Sequence, residues 1–291
     1  MLLDEECKGC LYNSQLKKVA KEQGEDEKFE KFEKFKLGVK ALCNNPPATY
    51  CAPLLMRDID RLHRKIYGHS IDYSREKRLF NGKLLEMEHT LFAEITSSPN
   101  PVLAAMQYAM AANYIDFARI SDLDESAITV VMQAALRANP SERAMLSLIG
   151  DLKAAKTLCY LHDNCGEIVL DKLLIRTIKR LYPQIKVISV VRGSPIINDV
   201  TVTDAAEVGL YDYAEVIDNG ADIPGTYLKE INPQTKTHLE SDDIVIAKGL
   251  GNLETLYGEG YSVYYSFCCK CNHIAERFGA EYGSAVLVKE N

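Results

Sequence analysis

Three polar stretches in the second half of this 291-residue sequence carry side chains able to bind hard cations and anions. The first is His162-Asp163-Asn164-Cys165-Gly166-Glu167. The second is Arg192-Gly193-Ser194-Pro195, with Asn198-Asp199 close behind. The third is Lys248-Gly249-Leu250-Gly251-Asn252-Leu253-Glu254. Asp163 and Asp199 offer anionic oxygens and Asn164 a neutral amide oxygen, a set that suits Mg²⁺ or Mn²⁺ with water completing the shell. Lys248 can neutralise a phosphate oxygen as a point charge, and a helix opening after Gly166 would aim its free N–H groups at an anion. A cation and a lysine around one phosphoryl group stabilise the charge that develops during its transfer. Asp, Asn and Gly also cap and turn ordinary loops, so one such stretch means little. The case rests on all three reaching the same edge of a sheet.

The elements that would bring them there show as changes of period. Residues 157–161 form a short apolar run suited to a buried strand, 168–181 has helical period, 186–191 is rich in β-branched residues, and 204–210 can form a short helix. Residues 215–217, 244–247, 263–267 and 285–288 are further strand candidates. Strands alternating with helices predict a mainly parallel sheet covered on both faces, and ligands bind such sheets at the carboxyl ends of the strands. The separation of Asp163 from Asp199 has the length of a βα unit with its next strand, so both acids reach neighbouring strand ends.

The first half reads helical. Phe29, Phe32, Phe35, Val39 and Leu42 recur at helical spacing, as do Leu84, Leu85, Met87, Leu91, Phe92 and Ile95. A third helix begins after Ser98-Pro99 with Pro101 in its first turn and continues through Ala112, residues 125–137 are a fourth, and Ser141 caps a fifth. The charged run 17–36 reads as the wet face of a helix. A helical domain, 1–150, is thus expected before an α/β domain, 151–291, that holds the metal and phosphate groups.

Bulk composition narrows the partners. With 34 basic against 41 acidic residues the net charge is −7, which argues against nucleic acid or an anionic membrane as the main partner. No stretch has the apolar length of a bilayer span, and the start MLLDEECKGC lacks a secretory pattern, so a cytoplasmic protein is expected. The 9 cysteines are odd in number and, in a reducing compartment, read as metal-binding, reactive or buried. Cys7 and Cys10 form Cys-X-X-Cys, a spacing that chelates metal or forms a redox pair. The pair alone cannot complete a tetrahedral zinc site; a structural metal or a pairing with Cys271 is open. Cys268 and Cys269, in an apolar strand, read as free thiols. Of the histidines, only His162 neighbours the centre.

In order, YLHDNCGEIVLDK, GSPIINDVTVTDA, DIVIAKGLGNLE and KCNHIAERFG resemble the damage-control phosphatases. The likeness extends to CKGC at 7–10, IDYSREKRLFN at 71–81 and ANYIDFA at 112–118, so it covers most of the chain. The Cys-X-X-Cys start and compact length are most similar to the family's archaeal and bacterial branch. The resemblance implies a helical N-terminal part on a Rossmann-like, three-layer α/β/α part. It implies a phosphatase supported by a divalent metal ion (Mn²⁺, Ni²⁺, Co²⁺ or Mg²⁺). The implied substrates are small phosphorylated metabolites, either sugar phosphates or phosphate esters of damaged metabolites. It places metal ligands on Asp163, Asn164 and Asp199, the phosphate-side lysine on Lys248, and the family's Asn-X-X-Asp motif on Asn113 and Asp116, one helical turn apart. Cys165 departs from the smaller Ala or Ser expected after the Asp-Asn pair.

Every assignment has a plainer alternative. Asp163-Asn164 and Asp199 suit turns and caps. Glu167 serves either the substrate or its own helix's first turn; Asn198 is a substrate contact or a turn former; Asn113 and Asp116 serve the site or internal hydrogen bonds. Attack by water and attack by Asp163 or Asp199 to give an aspartyl-phosphate are both open. Two rival functions are an S-adenosylmethionine-dependent methyltransferase, against which the first loop lacks a Gly-X-Gly turn, and a non-enzymatic metal or redox module on the Cys-X-X-Cys. Oligomeric state and strand order are not set by pattern.

Overall fold

Amphipathic helices come first, and the structure, a computed structural model, describes residues 1–21, 27–112, 133, 135 and 137–291. Helices α1 (Glu5–Lys21), α2 (Glu27–Asn44) and α3 (Ala52–Tyr67) bury Val19, Phe35, Val39, Leu55 and Ile59 in a core of their own. The charged run 17–36 therefore spans two helices rather than one. Next come α4 (Ser74–Ser97), α5 (Pro101–Ala111) and α6 (Glu142–Ala154). The starts of α5 and α6 are written in sequence. The Asn100 side chain accepts from Leu103 N and Pro101 opens the helix, while the Ser141 hydroxyl accepts from Ala144 N. The helix expected over 125–137 lies outside the described residues except at positions 133, 135 and 137.

The second half alternates strand and helix: β1 (Thr157–Leu161), α7 (Glu167–Leu181), β2 (Lys186–Val191), α8 (Val202–Glu207), β3 (Glu215–Asp218), α9 (Pro233–Ser241), β4 (Ile244–Lys248), α10 (Gly249–Leu256), β5 (Val263–Cys268), α11 (Asn272–Phe278) and β6 (Ala285–Glu290). Among the described residues these strands form one sheet of order β3-β2-β1-β4-β5-β6. β1 to β5 are parallel, and β6 runs antiparallel along β5. Side chains alternate between the two faces. Leu158, Tyr160, Val187, Val191, Ile244 and Ile246 enter one core, closed by α4 to α7. Cys159, Leu161, Ile188, Val190, Val245 and Ala247 enter the other, closed by α9 to α11. Burial on both faces is why β2 and β4 read as apolar runs. The first core contains Leu148, Leu152, Leu158 and Ile168 together, so the boundary expected at 150–151 falls inside one packed unit.

The site follows from the strand order. β2 and β3 lie on one side of β1, and β4 and β5 on the other. The chain reverses its direction of growth between β1 and β4, and α/β folds bind ligands in the crevice at the carboxyl ends of such strands. No helix among the described residues is long and apolar enough to cross a membrane.

Candidate active site

The loops after β1 and β2 are strapped together by their backbones. Asn164 and Asp199 form an isolated antiparallel bridge. Cys165 N donates to Asn198 O at 2.9 Å and Val200 N to Asp163 O at 2.9 Å. Asp163 and Asp199, 36 positions apart in the chain, thereby become neighbours, both buried at 8% and 1% exposure. Ile197, two residues before Asp199, has a φ of 40°. For a β-branched residue this is a strained conformation worth about 1–3 kcal/mol, of the kind held only where surrounding contacts over-determine it.

Hydrogen bonds orient the acidic groups. Asn164 Nδ2 donates to Asp163 Oδ2 at 2.7 Å and to Glu167 Oε1 at 2.9 Å, which assigns the amide and leaves its carbonyl oxygen available. Arg192 Nε donates to Asp199 Oδ2 at 2.6 Å, and its Nη2 lies 3.6 Å from Asp163 Oδ1. Asp199 Oδ1 is buried with no hydrogen-bond partner among the described residues. Burial, then repulsion from Asp199 and Glu167, pushes the Asp163 carboxyl well above the usual carboxylate range, opposed by Arg192 and Lys270. Burial also raises Asp199, against the pull of Arg192 and Lys77.

The loop after β4 comes closest through its glycines. Gly249 has a φ of 77°, and a Cβ there would stand 1.9 Å from Asp163 Oδ2, so only glycine admits the start of α10 beside that carboxylate. Asn252 is a staple: its Nδ2 donates to Lys248 O at 2.7 Å and His162 O at 3.1 Å, and its Oδ1 accepts from Thr226 Oγ1 at 2.8 Å.

Lys248 is placed differently from the expected phosphate-facing lysine. Fully buried, its Nζ donates to Asp171 Oδ1 at 2.7 Å, Ala109 O at 2.6 Å and Glu167 Oε2 at 3.4 Å, so its three hydrogens are committed inside the protein. Burial alone would lower its pKa, but the Asp171 and Glu167 carboxylates more than offset this and raise it. Asp171, for its part, resists the upward push of burial and is lowered by Lys248 and His162. Glu167 is raised by burial, with Lys248 pulling the other way. His162 Nδ1 lies 3.3 Å from Asp171 Oδ2; burial lowers the imidazole pKa despite that carboxylate. A strand-end lysine reads the same in sequence whether it meets solvent or a buried carboxylate.

Three contributors went unassigned in the sequence. Arg192 was visible only as part of its loop. Asp171 lies four residues after Glu167 on the same face of α7, a spacing that could have found it. Lys270, in the loop after β5, is exposed, and its charge acts on both Asp163 and Glu167. Other expected residues fall elsewhere. Asn198 joins the loops through its carbonyl, and its side chain is half-buried. Cys165 is buried in the first core, its thiol held protonated by burial, so it turns away from cation binding. Asn113 and Asp116 lie outside the described residues. Cys7, Cys10 and Cys271 are joined in no disulfide. Burial, and then Asp4, push Cys7 up to about 12, and burial raises Cys271; thiols so held are poor thiolate ligands.

A divalent cation can be tested against this donor set. Among the described residues, no three His, Cys, Asp or Glu side chains group to hold a metal ion. The protein donors reduce to two carboxylates and one amide. That set fits a hard cation that keeps several positions for water or substrate oxygens. The unpartnered Asp199 Oδ1 is the kind of buried anionic atom that calls for such a partner.

Comparisons with known proteins agree on the fold. A crystal structure of a DUF89 family protein from Pyrococcus horikoshii superposes over 100% of both chains with a TM-score of 0.83 at 24% identity. In sequence, the chain is 33% identical over 246 residues to an uncharacterized protein of Methanocaldococcus jannaschii, covering 79% of this chain and 77% of that one. It is 29% identical to a damage-control phosphatase of Archaeoglobus fulgidus, covering 78% and 79%. A damage-control phosphatase of Pyrococcus horikoshii is 30% identical, covering 64% of each chain. The model of the damage-control phosphatase ARMT1-like domain matches residues 3–286, and the chain belongs to that family.

Proposed function

We propose that the chain hydrolyses phosphomonoesters of small metabolites with the help of a divalent cation held by Asp163, Asn164 and Asp199. The observation that carries this reading is the convergence of two acidic loops at the β1/β4 crevice, with Asp199 Oδ1 buried and unpartnered among the described residues. Membership of a family named for damage-control phosphatases supports the reaction class. A divalent cation supplies Lewis-acid stabilisation of the charge that builds on a transferring phosphoryl group.

The chain's own groups do the rest. Arg192 fixes one oxygen of Asp199 and leaves the other for the cation. Glu167 and Asp163 pin the Asn164 amide so that its oxygen is free. Lys248 neutralises Asp171 and Glu167 behind the site, which lets the acidic cluster stay folded. Lys270, exposed and acting on Asp163 and Glu167, is the cation that meets the phosphate dianion as it enters. Sugar phosphates and phosphate esters of damaged metabolites are the substrate classes favoured.

The test is release of inorganic phosphate from a panel of phosphorylated metabolites by chelator-treated protein supplied separately with Mg²⁺, Mn²⁺, Co²⁺ or Ni²⁺. Turnover should require a cation, and Asp163→Asn and Asp199→Asn should each abolish it. Full turnover in the presence of excess chelator, or in both variants, would overturn the assignment.

A further inference from the structure

Resting on that reading of residues 163, 164 and 199 as one centre, we propose that α4 is a two-point brace setting the spacing of the two acidic loops, with Lys77 and Asn81 as positioning residues. The two lie four apart and project from one face of the helix. Lys77 Nζ donates to the backbone carbonyl of Asp199 at 2.6 Å and to Asp204 Oδ2 at 2.9 Å. Asn81 Oδ1 accepts from Gly166 N at 2.6 Å. One residue thus grips the loop after β2 and the other the loop after β1. Both are buried, at 8% and 3% exposure.

The grip falls where restraint is needed. Asp199 follows the strained Ile197, and its carbonyl is anchored from outside the loop by Lys77. Asp204 also accepts from Thr201 N and Thr201 Oγ1, so Lys77 ties the carbonyl of Asp199 to the start of α8. Gly166 links Asn164 to α7, and Phe80, between the two bracing residues, lies against it: a Cβ on Gly166 would stand 3.2 Å from Phe80 Cβ. Neither Lys77 nor Asn81 donates to a carboxylate of the centre; both hold the backbone that carries it, and the Lys77 charge also acts on Asp199. A helix from the first half of the chain thereby enters the geometry of a site built on the second. Groups that orient ligands in this way commonly change metal affinity by about 10- to 100-fold when removed.

Lys172 provides the control. It is equally buried at 4% exposure and donates to Glu88 Oε2 at 2.7 Å and Val208 O at 2.6 Å, but to neither acidic loop. By titration calorimetry, Lys77→Met and Asn81→Ala should each weaken Mn²⁺ binding by about 10- to 100-fold. Lys77→Arg should recover part of the loss. Lys172→Met should lower the unfolding temperature while keeping wild-type Mn²⁺ affinity. In chelator-treated protein, Lys77→Met should also speed amide exchange at Cys165 and Val200, the groups that strap the loops together. Wild-type affinity in both Lys77→Met and Asn81→Ala, or an equal loss in Lys172→Met, refutes the brace and leaves the centre standing. A wild-type protein that takes up no Mn²⁺ ends the centre and the brace together.

Discussion

Arg192 donates from Nε to Asp199 Oδ2 at 2.6 Å, holding one oxygen of that carboxylate while Oδ1 stays buried without a partner among the described residues. The pair is an internal neutralisation inside an acidic cluster. Removing one member of a buried ion pair costs about 3–5 kcal/mol because the other charge is left uncompensated. Arg192→Gln should therefore be strongly destabilised in chelator-treated protein. Saturating Mn²⁺ should return a substantial part of the loss, since the cation gives Asp199 a new counter-charge and binds the folded state. Urea unfolding of both proteins with and without Mn²⁺ checks this. An identical deficit under the two conditions would show that Arg192 has no electrostatic connection to the centre.

Cation binding should strengthen as pH rises. Burial raises both Asp163 and Asp199, so protons compete for these carboxyls above the range where ordinary carboxylates have already ionised. Binding must displace those protons. Calorimetry in two buffers of different ionisation enthalpy should reveal proton release on Mn²⁺ binding that shrinks from mildly acidic to mildly alkaline conditions. Binding without proton release throughout that interval would contradict the raised carboxyls.

Lys248 and Lys270 should separate stability from substrate recognition. Lys248 is fully buried among Asp171, Glu167 and the Ala109 carbonyl, and Lys248→Met should cost about 3–5 kcal/mol by leaving two buried carboxyls without their ammonium. Lys270 is exposed, so Lys270→Ala should change unfolding by no more than about 0.5 kcal/mol. It should raise KM for a phosphorylated substrate roughly ten- to hundredfold, the worth of one charged hydrogen bond. Unfolding curves and steady-state kinetics on the two variants test the split. An unchanged KM in Lys270→Ala would remove that residue from the site.

Glu254 gives a second pH signature, away from the acidic loops. Burial raises its carboxyl to about 7, with the Met1 ammonium holding it partly down. A folded-state pKa above the unfolded one means that the folded protein binds this proton more tightly. Stability attributable to Glu254 is then full below the usual carboxylate range and is lost as pH climbs towards about 7. Glu254→Gln should match wild type in acid and exceed it above neutrality by a margin on the order of 1–3 kcal/mol. Equal stability of the two proteins at alkaline pH would show that the carboxyl is not held up.

How much of this was legible depended on where each residue's partner lies in the chain. β1 and β2 could be bounded in sequence because strands buried on both faces make apolar runs with polar ends. Asp163 and Asp199 could be paired because the βα unit fixes their separation. Helix α3 carries Leu55, Ile59, Leu62 and Ile66 at helical spacing, so its existence was legible; the polar members of its buried face, Arg57, Asp60 and His63, were not. Arg57 is compensated by Glu230, and the neighbouring Arg64 by Asp60 and by Asp222 in the loop after β3. A periodicity that counts only apolar residues finds such a helix but misses the charged residues it buries through ion pairs to distant segments. Lys77 and Asn81 escaped for the same reason: their acceptors lie on loops 122 and 85 residues away.

The approach of Gly249 to Asp163 gives the sharpest geometric test. Gly249 combines a φ of 77° with a virtual Cβ 1.9 Å from Asp163 Oδ2. Left-handed backbone costs a residue with a Cβ roughly 1–2 kcal/mol, which a chain of this size tolerates. The steric demand is more serious, because the atom in the way is the carboxylate oxygen and not the end of a flexible surface chain. In Gly249→Ala the Asp163 side chain must turn or the start of α10 must retreat. Either movement alters the centre while the sheet and its two cores remain. The variant should keep its far-ultraviolet dichroism and a cooperative unfolding transition, yet lose most of its Mn²⁺ binding and phosphate release. Gly258→Ala, at a φ of 89° with nothing within 4 Å of its virtual Cβ, carries the same backbone cost without the clash and should retain both. If the two variants behave alike, the contact between residue 249 and Asp163 has no bearing on the chemistry of the site.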